Sequence, residues 1–365
     1  VRQLLPALAV AAAVLGLTPG TALAVAAAVL GLTPGTAAAQ PAPRDVCAVT
    51  DKRLAELSGL VSDGKRWYAV NDGGTRTTVY VLNRTTCAVE RVINGPTDPY
   101  DVEDLARGAD GTFWLADTGD NRAQRESVAL IALTPSGETT LYRLTYPDRP
   151  RDTEALLLDR DGVPYLVTKS VFGVSDIFRP TGPLASPGPT PLENVGTVQI
   201  KSTDTQGGPI NQMVGSMTIT GGAVSADGAV VALRTYTDAY LFSAPDGDIA
   251  TALTKGTPAR VPLPAEKQGE AIAFEPDGTL VSASEGTGEP IRLVEGAAAL
   301  APSPGQRAAG TEDAPQAGAE DTTAEDTTAA AESDNGMATI PALGISAVVV
   351  GGVLLVMHRR AKRRA

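Results

Sequence analysis

Histidine is all but missing from this 365-residue chain: the only one is His358, in the last few residues. A body without histidine cannot assemble Ser-His-Asp or Cys-His catalysis, nor zinc held by imidazole. Cysteine is almost as scarce, with Cys47 and Cys87 alone. A thiol nucleophile would lack a histidine partner, so the pair is expected as one disulfide of an exported body. Aromatic residues make up 4% of the chain, whereas glycine (38) and proline (27) are abundant. That mixture suits a turn-rich β protein better than a helical one.

The two ends differ from the middle. Residues 1–39 read as a signal peptide, with Arg2, a long Ala/Leu/Val run and the cleavage-site string Ala37-Ala38-Ala39. Its apolar run is duplicated: ALAVAAAVLGLTPGT occupies Ala7–Thr21 and again Ala22–Thr36. Without one copy the segment has an ordinary length of about 24 residues. A membrane hairpin turning at Thr18-Pro19-Gly20 is the competing reading, but each apolar run of about 11 residues is too short to span. At the other end, 338–357 (ATIPALGISAVVVGGVLLVM) is long and apolar enough for a transmembrane helix, and 358–365 forms a basic cytoplasmic tail. No LPxTG-type sortase signal is present. The expected topology is single-pass type I, anchored in the cell membrane with the body outside the cytoplasm. Residues 297–336, rich in Ala, Thr, Asp, Glu and Pro, read as a disordered acidic stalk.

Net charge is −12, and the body is more acidic still once Arg2 and the tail cations are set aside. Nucleic acid is therefore not an expected partner, since phosphate binding needs clustered Lys and Arg. Cations or basic ligands are compatible, and acidity also keeps a surface protein soluble.

Within 44–296 a motif recurs: SGLVSDGKRWYAVND (58–72), EDLARGADGTFWLAD (103–117), EALLLDRDGVPYLVTK (154–169), GAVSADGAVVALRT (222–235) and EAIAFEPDGTLVSASE (270–285). Each is an apolar stretch, an Asp-Gly turn and a second apolar stretch, a strong hairpin signal. Two further short strands follow the first hairpin, at 77–83 and 86–93. Four strands in roughly 50 residues is the arithmetic of a β-propeller blade. The expected fold is an all-β propeller of five blades. Six remain possible, because the Pro/Gly-rich stretch 179–194 has room for more strands. The last unit shows three strands, and DVCAV (45–49) would complete it and close the ring. Cys47 and Cys87 then fall on the outer strands of adjacent blades, where a bridge would clamp the closure.

Strand alternation predicts which residues share a mouth. The starts of first strands (Ser58, Glu103, Glu154, Gly222, Glu270) meet the ends of second strands (Asp72, Asp117, Lys169, Arg234, Glu285), with the Asp-Gly turns on the far rim. The ligand-rim candidates are thus Asp72, Glu103, Asp104, Asp117, Asp120, Asn121, Glu154, Lys169, Arg234, Glu270 and Glu285. Three roles compete. Glu103, Asp117, Asp120 and Glu154 could hold Ca²⁺, although DTGDN (117–121) is not an EF-hand loop. With Lys169 and Arg234 the acids could form a hydrolytic site that dispenses with histidine. The plainest reading has them bonding backbone N–H groups at strand ends and pairing with Arg122, Lys169 and Arg234. Trp67 and Trp114 are expected in blade cores rather than stacked on a ligand.

PYDVEDLA…FWLADTGDNR (99–122), DTEALLLD…YLVTKS (152–170), RTYTDAYLF (234–242) and QGEAIAFEPDG…SASEG (268–286) together resemble the actinobacterial exported β-propeller proteins labelled "esterase-like activity of phytase" or WD-repeat-like. The resemblance covers most of 45–295. It implies a propeller fold and an extracytoplasmic location. β-Propeller phytases are similar in fold and use several Ca²⁺ ions in an acidic cleft, but their basic phosphate-holding residues have no counterparts that can be placed in this sequence. The expected function is binding or scaffolding of an extracellular ligand or protein at the cell surface through the acidic rim. The alternative is a Ca²⁺-dependent phosphoester or ester hydrolase at the same mouth.

Overall fold

The computed structural model describes residues 41–303, so the expected export segment, most of the stalk, the transmembrane helix (338–357) and the tail lie outside the described residues. Among the described residues no helix is long and apolar enough to cross a membrane.

The strands come in antiparallel fours. β2 (Leu57–Ser62), β3 (Trp67–Asn71), β4 (Thr78–Leu82) and β5 (Val89–Asn94) make the first sheet. β6 (Val102–Arg107), β7 (Phe113–Asp117), β8 (Val128–Leu133) and β9 (Thr139–Thr145) make the second group. The third is β10 (Thr153–Leu158), β11 (Pro164–Thr168), β12 (Val174–Pro180) and β13 (Thr190–Gln199). A short parallel pairing, Thr190 opposite Leu144 and Pro191 opposite Thr145, joins the second and third groups by their outer edges. After the short helix α1 (Gln212–Gly215) come β14 (Ile219–Val224), β15 (Val230–Thr235), β16 (Asp238–Ser243), helix α2 (Ile249–Lys255) and β17 (Ala259–Pro262). β18 (Gly269–Phe274), β19 (Leu280–Ser284) and β20 (Glu289–Val294) make the last sheet, completed by β1 (Arg44–Val49).

Each first pair of strands turns at the expected Asp-Gly step. Its glycine has φ of 79° at Gly64, 87° at Gly111, 80° at Gly162, 69° at Gly228 and 82° at Gly278, the left-handed region where a Cβ is penalised. The aspartates fix these turns as well: Asp63 accepts from Arg66 N at 2.8 Å and Asp277 from Thr279 N at 2.9 Å. Apolar faces then meet between neighbouring sheets, as where Val70 and Val79 pack with Leu105, Phe113 and Leu115. Each such side chain fully buried contributes about 1.5–3 kcal/mol. The innermost strands adjoin in a cycle: β2 lies beside β6, β6 beside β10, β10 beside β14, β14 beside β18, and β18 again beside β2. This arrangement is a β-propeller. The room near 179–194 holds the β12–β13 connection, and the other extra length of that unit lies in 200–218 with α1.

Closure follows the expected route, with Arg44 opposite Leu293 and Val49 opposite Glu289. Cys47 and Cys87 form a disulfide, their Cα atoms 5.6 Å apart. Cys87 does not lie on an outer strand, however. It ends the turn before β5, with φ of 56°. The folded body also runs past 296, since Ala297–Leu300 forms a 3-10 turn whose Ala297 is fully buried. The first residues assigned to the stalk are therefore part of the packed body.

The bridge closes a loop of 40 residues, for which loss of chain entropy in the unfolded state is worth about 4 kcal/mol. The C47S/C87S double variant is expected to unfold at a urea concentration corresponding to a loss of about 3–4 kcal/mol, measured against the oxidised wild type. A change under about 1 kcal/mol would show that the disulfide does not hold the ring closed.

Candidate functional site

All five first hairpins carry a register irregularity at the same place. The shifts fall at Leu57/Gly59, Val102/Asp104, Thr153/Ala155, Ile219/Gly221 and Gly269/Ala271. The skipped residues are Ser58, Glu103, Glu154, Thr220 and Glu270, all buried. A bulge inserts one extra residue and re-aims its side chain, a device common beside functional sites. Two of these side chains stitch one inner strand to the next: Ser58 Oγ donates to Val102 O and Thr220 Oγ1 to Gly269 O, at 2.9 and 2.8 Å. In the fourth unit the equivalent position is thus Thr220, not Gly222. The other three bulges supply glutamates.

Glu103 and Glu154 converge with Asp152, one oxygen from each lying within 4.8 Å of the others. Three carboxylates this close could hold a metal ion, and all-oxygen donors suit a hard cation. Of the four residues read as metal ligands, Glu103 and Glu154 meet here, while Asp117 and Asp120 are engaged differently. Asp117 accepts from Tyr100 N and Asp101 N at 3.1 and 2.8 Å and pairs with Arg125 at 3.2 Å. Burial pushes its carboxyl upward despite those partners. Asp120 supports the cluster from behind, donating its N–H to Asp152 Oδ1 at 2.7 Å and accepting Arg125 N at 2.8 Å. A Cβ at Gly119 would collide with Glu103 Oε1 and the Asp101 carboxylate, so this glycine is what lets the loop lie against the acids. Lys169 completes the group, its ammonium 2.5 Å from Glu154 Oε1.

The remaining rim candidates scatter. Asp104 lies at the centre of the ring: its carboxylate accepts Leu105 N at 2.8 Å, Leu156 N at 2.8 Å and Gly222 N at 3.1 Å, tying β6, β10 and β14 together. Its complete burial drives its carboxyl well above the usual carboxylate range, the N–H groups opposing that shift. Arg234 is not at the mouth but fully buried, donating to Glu266 Oε2 at 2.6 Å and to Ala271 O at 3.0 Å. Glu270 accepts from Gln268 Nε2 at 3.0 Å. Asp72 is buried with its N–H on Glu56 O, Glu285 is half-buried with its N–H on Gln268 O, and Asn121 is half-buried in the loop after β7. Trp67 is core, its indole N–H on Glu275 at 2.7 Å, whereas Trp114 is half-buried and borders a cavity.

Sequence reasoning missed Asp152, Arg125 and Glu266. Asp152 had a signal: Asp101-Val102-Glu103 and Asp152-Thr153-Glu154 repeat one Asp-x-Glu pattern at the starts of two units. Glu266 had none, since its partner Arg234 is 32 residues away.

The same mouth carries the exposed apolar side chains. Among the described residues the large hydrophobic side chains most open to solvent are Tyr100 (66%), Phe172 (84%), Val174 (46%) and Met213 (48%). Tyr100 precedes β6, Phe172 and Val174 lie at the β11–β12 connection, and Met213 is in α1 before β14. Strand alternation puts all these connections on the rim of the bulges. The Phe172 and Met213 segments adjoin, because Ile200 N donates to Gly173 O at 2.7 Å and Gly173 abuts Met217. The Arg125 guanidinium lies 4.7 Å from the Tyr100 ring centroid.

Fold and site define a β-propeller with a buried acid–lysine cluster at one mouth. No protein-family description matches the chain, and no curated protein does. Among solved structures, the chain is similar to virginiamycin B lyase from Staphylococcus aureus, at 15% identity over 67% of each chain and a TM-score of 0.34. It is also similar to the PQQ-bound aldose sugar dehydrogenase of Streptomyces coelicolor, at 10% identity over 69% of this chain and 96% of that one, with a TM-score of 0.39. A third is the Cps50 (Swd1) β-propeller domain of Myceliophteria thermophila, at 14% identity over 65% and 83%, with a TM-score of 0.33.

Asp104 makes stability depend on pH in a definite direction. A carboxyl raised above its unfolded value contributes fully below that value, near 3.9, and loses its contribution as pH rises through the folded pKa. The advantage of wild type over D104N in denaturant melts is therefore expected to shrink between pH 5 and pH 8. D104A is expected to cost about 3 kcal/mol at pH 5, because three backbone donors lose their acceptor. An advantage of wild type over D104N that grows with pH would show that Asp104 is charged in the ring.

Proposed function

We propose that this protein is a membrane-anchored, extracytoplasmic binding module, a five-bladed propeller that recognises an extracellular protein or ligand at the bulge-side mouth. One observation carries the reading: the solvent-exposed apolar side chains gather on that one rim, around the acid–lysine cluster. Scattered surface hydrophobes need no explanation, but grouped ones mark interaction sites. The cycle of inner strands and the four-stranded units support the count of five. The apolar 338–357 stretch and the signal-like 1–39 segment support the location. The pairing of Glu154 with Lys169, of Asp117 with Arg125 and of Arg234 with Glu266 weighs against catalysis, because these groups are committed to one another.

The convergence of Glu103, Asp152 and Glu154 favours a second reading, in which the cluster binds Ca²⁺ and serves an ester or phosphoester hydrolase. Here Lys169 competes with the ion for Glu154. Removing it from this buried pair is expected to cost about 3–5 kcal/mol. K169M is therefore expected to melt well below wild type in EDTA and to regain stability with Ca²⁺, while wild type responds to neither. A wild-type melting temperature that rises with Ca²⁺ would favour the second reading.

The binding reading is tested by photo-crosslinking on intact cells, with a benzophenone amino acid at position 172 or at position 160 on the opposite rim. Adducts are expected from 172 and not from 160, and they should be lost when Tyr100→Ser and Met213→Ser are added. The same protein is expected to show no turnover of p-nitrophenyl acetate or phosphate above that of E154Q. Turnover abolished by E154Q, or equal adducts from both rims, would overturn the proposal.

A further inference from the structure

A hollow of about 420 Å³ lies beside the first Asp-Gly turn, lined by Asp63, Lys65, Arg66, Tyr68, Glu90 and Arg91. Arg107 stands next to it, its guanidinium carbon 5.8 Å from the Tyr68 ring centroid. Burial and a bond to Asp63 push the Tyr68 hydroxyl upward, and the positive charges of Arg107 and Arg91 oppose that shift from close by.

In a chain of net charge −12 this spot is basic. Lys65, Arg66, Arg91 and Arg107 outnumber Asp63, Glu90 and Asp110, and each of those carboxylates is already engaged. Asp63 accepts from Tyr68 Oη at 2.7 Å, and from Lys65 N and Arg66 N at 2.9 and 2.8 Å. Glu90 takes the Arg66 guanidinium at 2.8 Å and Asn83 Nδ2 at 2.8 Å. Asp110 accepts both Thr112 N and Thr112 Oγ1 at 2.9 Å. Among the described residues, exposed Lys65, Arg91 and Arg107 have no salt-bridge partner, whereas Arg84, Arg125, Arg234 and Arg292 are each matched to a carboxylate.

The chain itself carries a fitting anion. Residues 304–336 hold eight carboxylates against the single cation Arg307, with Glu320-Asp321 and Glu325-Asp326 in a repeated Ala-Glu-Asp-Thr-Thr string. The body hands this segment over on the Asp-Gly face: Ala298 N donates to Gly278 O at 3.0 Å in the fifth turn, and Pro276 of that turn abuts Gly64 of the first. Glu320 follows Ser303 by 17 residues, a reach of up to ~55 Å. A compact body of this size is roughly 45 Å across, so the patch is within range. A free polyanion would have to approach a body of like net charge, whereas a tethered one is already there at high effective concentration.

We propose that the acidic segment 304–336 docks on the Lys65–Arg91–Arg107 patch, clasped against the Asp-Gly face of its own ring. The contact is intramolecular, and it is reversible and salt-sensitive because exposed charges make it. It lies on the rim opposite the proposed recognition rim and does not rest on that reading.

Zero-length carbodiimide crosslinking of the full chain in mild detergent tests the clasp, because it joins only amines and carboxylates in contact. Bonds from Lys65 to segment 304–336 are expected, with a yield roughly fivefold or more above that at Lys255; Lys255 is exposed on the same face, at the end of α2. E320Q/D321N/E325Q/D326N, which leaves the packed body unaltered, and R91Q/R107Q are each expected to lower the Lys65 yield roughly fivefold. Salt at about 1 M, which screens charges beyond about 3 Å, is expected to do the same. Mixtures of light and isotope-labelled protein are expected to give no light–heavy crosslinks. Lys65 yields no higher than those at Lys255, yields untouched by either set of substitutions, or crosslinks mainly between molecules would each overturn the proposal.

Discussion

One carboxyl group sets the geometry on which both faces of the ring depend. Asp104 reaches across the axis and takes N–H donors from three inner strands, including Gly222, 118 residues away in sequence. An inner strand in a ring has no hydrogen-bonded neighbour on its axial side, so its backbone groups there need partners from side chains. Asp104 meets that need and fixes the spacing of three blades at once. Leu156 and Gly222, whose N–H groups it holds, line a cavity on the Asp-Gly side, while its neighbour Glu103 belongs to the acid cluster.

Repetition does the rest of the positioning. The bulge recurs at one position in each first hairpin, but the residue placed there varies: Ser58 and Thr220 bond to a neighbouring strand, whereas Glu103, Glu154 and Glu270 bring buried carboxylates. A buried carboxylate is costly unless it is paired or neutralised. The structure answers with Lys169 at Glu154, Arg125 at Asp117 and a raised carboxyl at Asp104. The same backbone device is thus structural in two units and a potential source of ligands in three.

The architecture was legible because its signals are local. Asp-Gly turns at Gly64, Gly111, Gly162, Gly228 and Gly278 mark the hairpins, and DVCAV supplied the strand missing from the last sheet. The mouth assignment of the acids followed from strand alternation alone. What alternation could not reveal was depth: Asp104 and Arg234 neighbour mouth positions in sequence, yet one bulge turns Asp104 into the channel, and Arg234 is drawn inward by Glu266. Cys87 shows the same limit at smaller scale, since its place in a turn rather than a strand depends on one positive φ. The cavity on the Asp-Gly side draws its lining as short runs from five hairpins far apart in sequence, so no single stretch announces it.

Strand β1 belongs by sequence to the start of the body and by pairing to its end. A ring sealed this way has no privileged beginning: its inner strands adjoin in an unbroken cycle, and the seam is covered by the Cys47–Cys87 bridge. The chain enters and leaves through one sheet, with Arg44 across from Leu293. The first and last strands of the described body are therefore partners, so loosening either one opens the same blade.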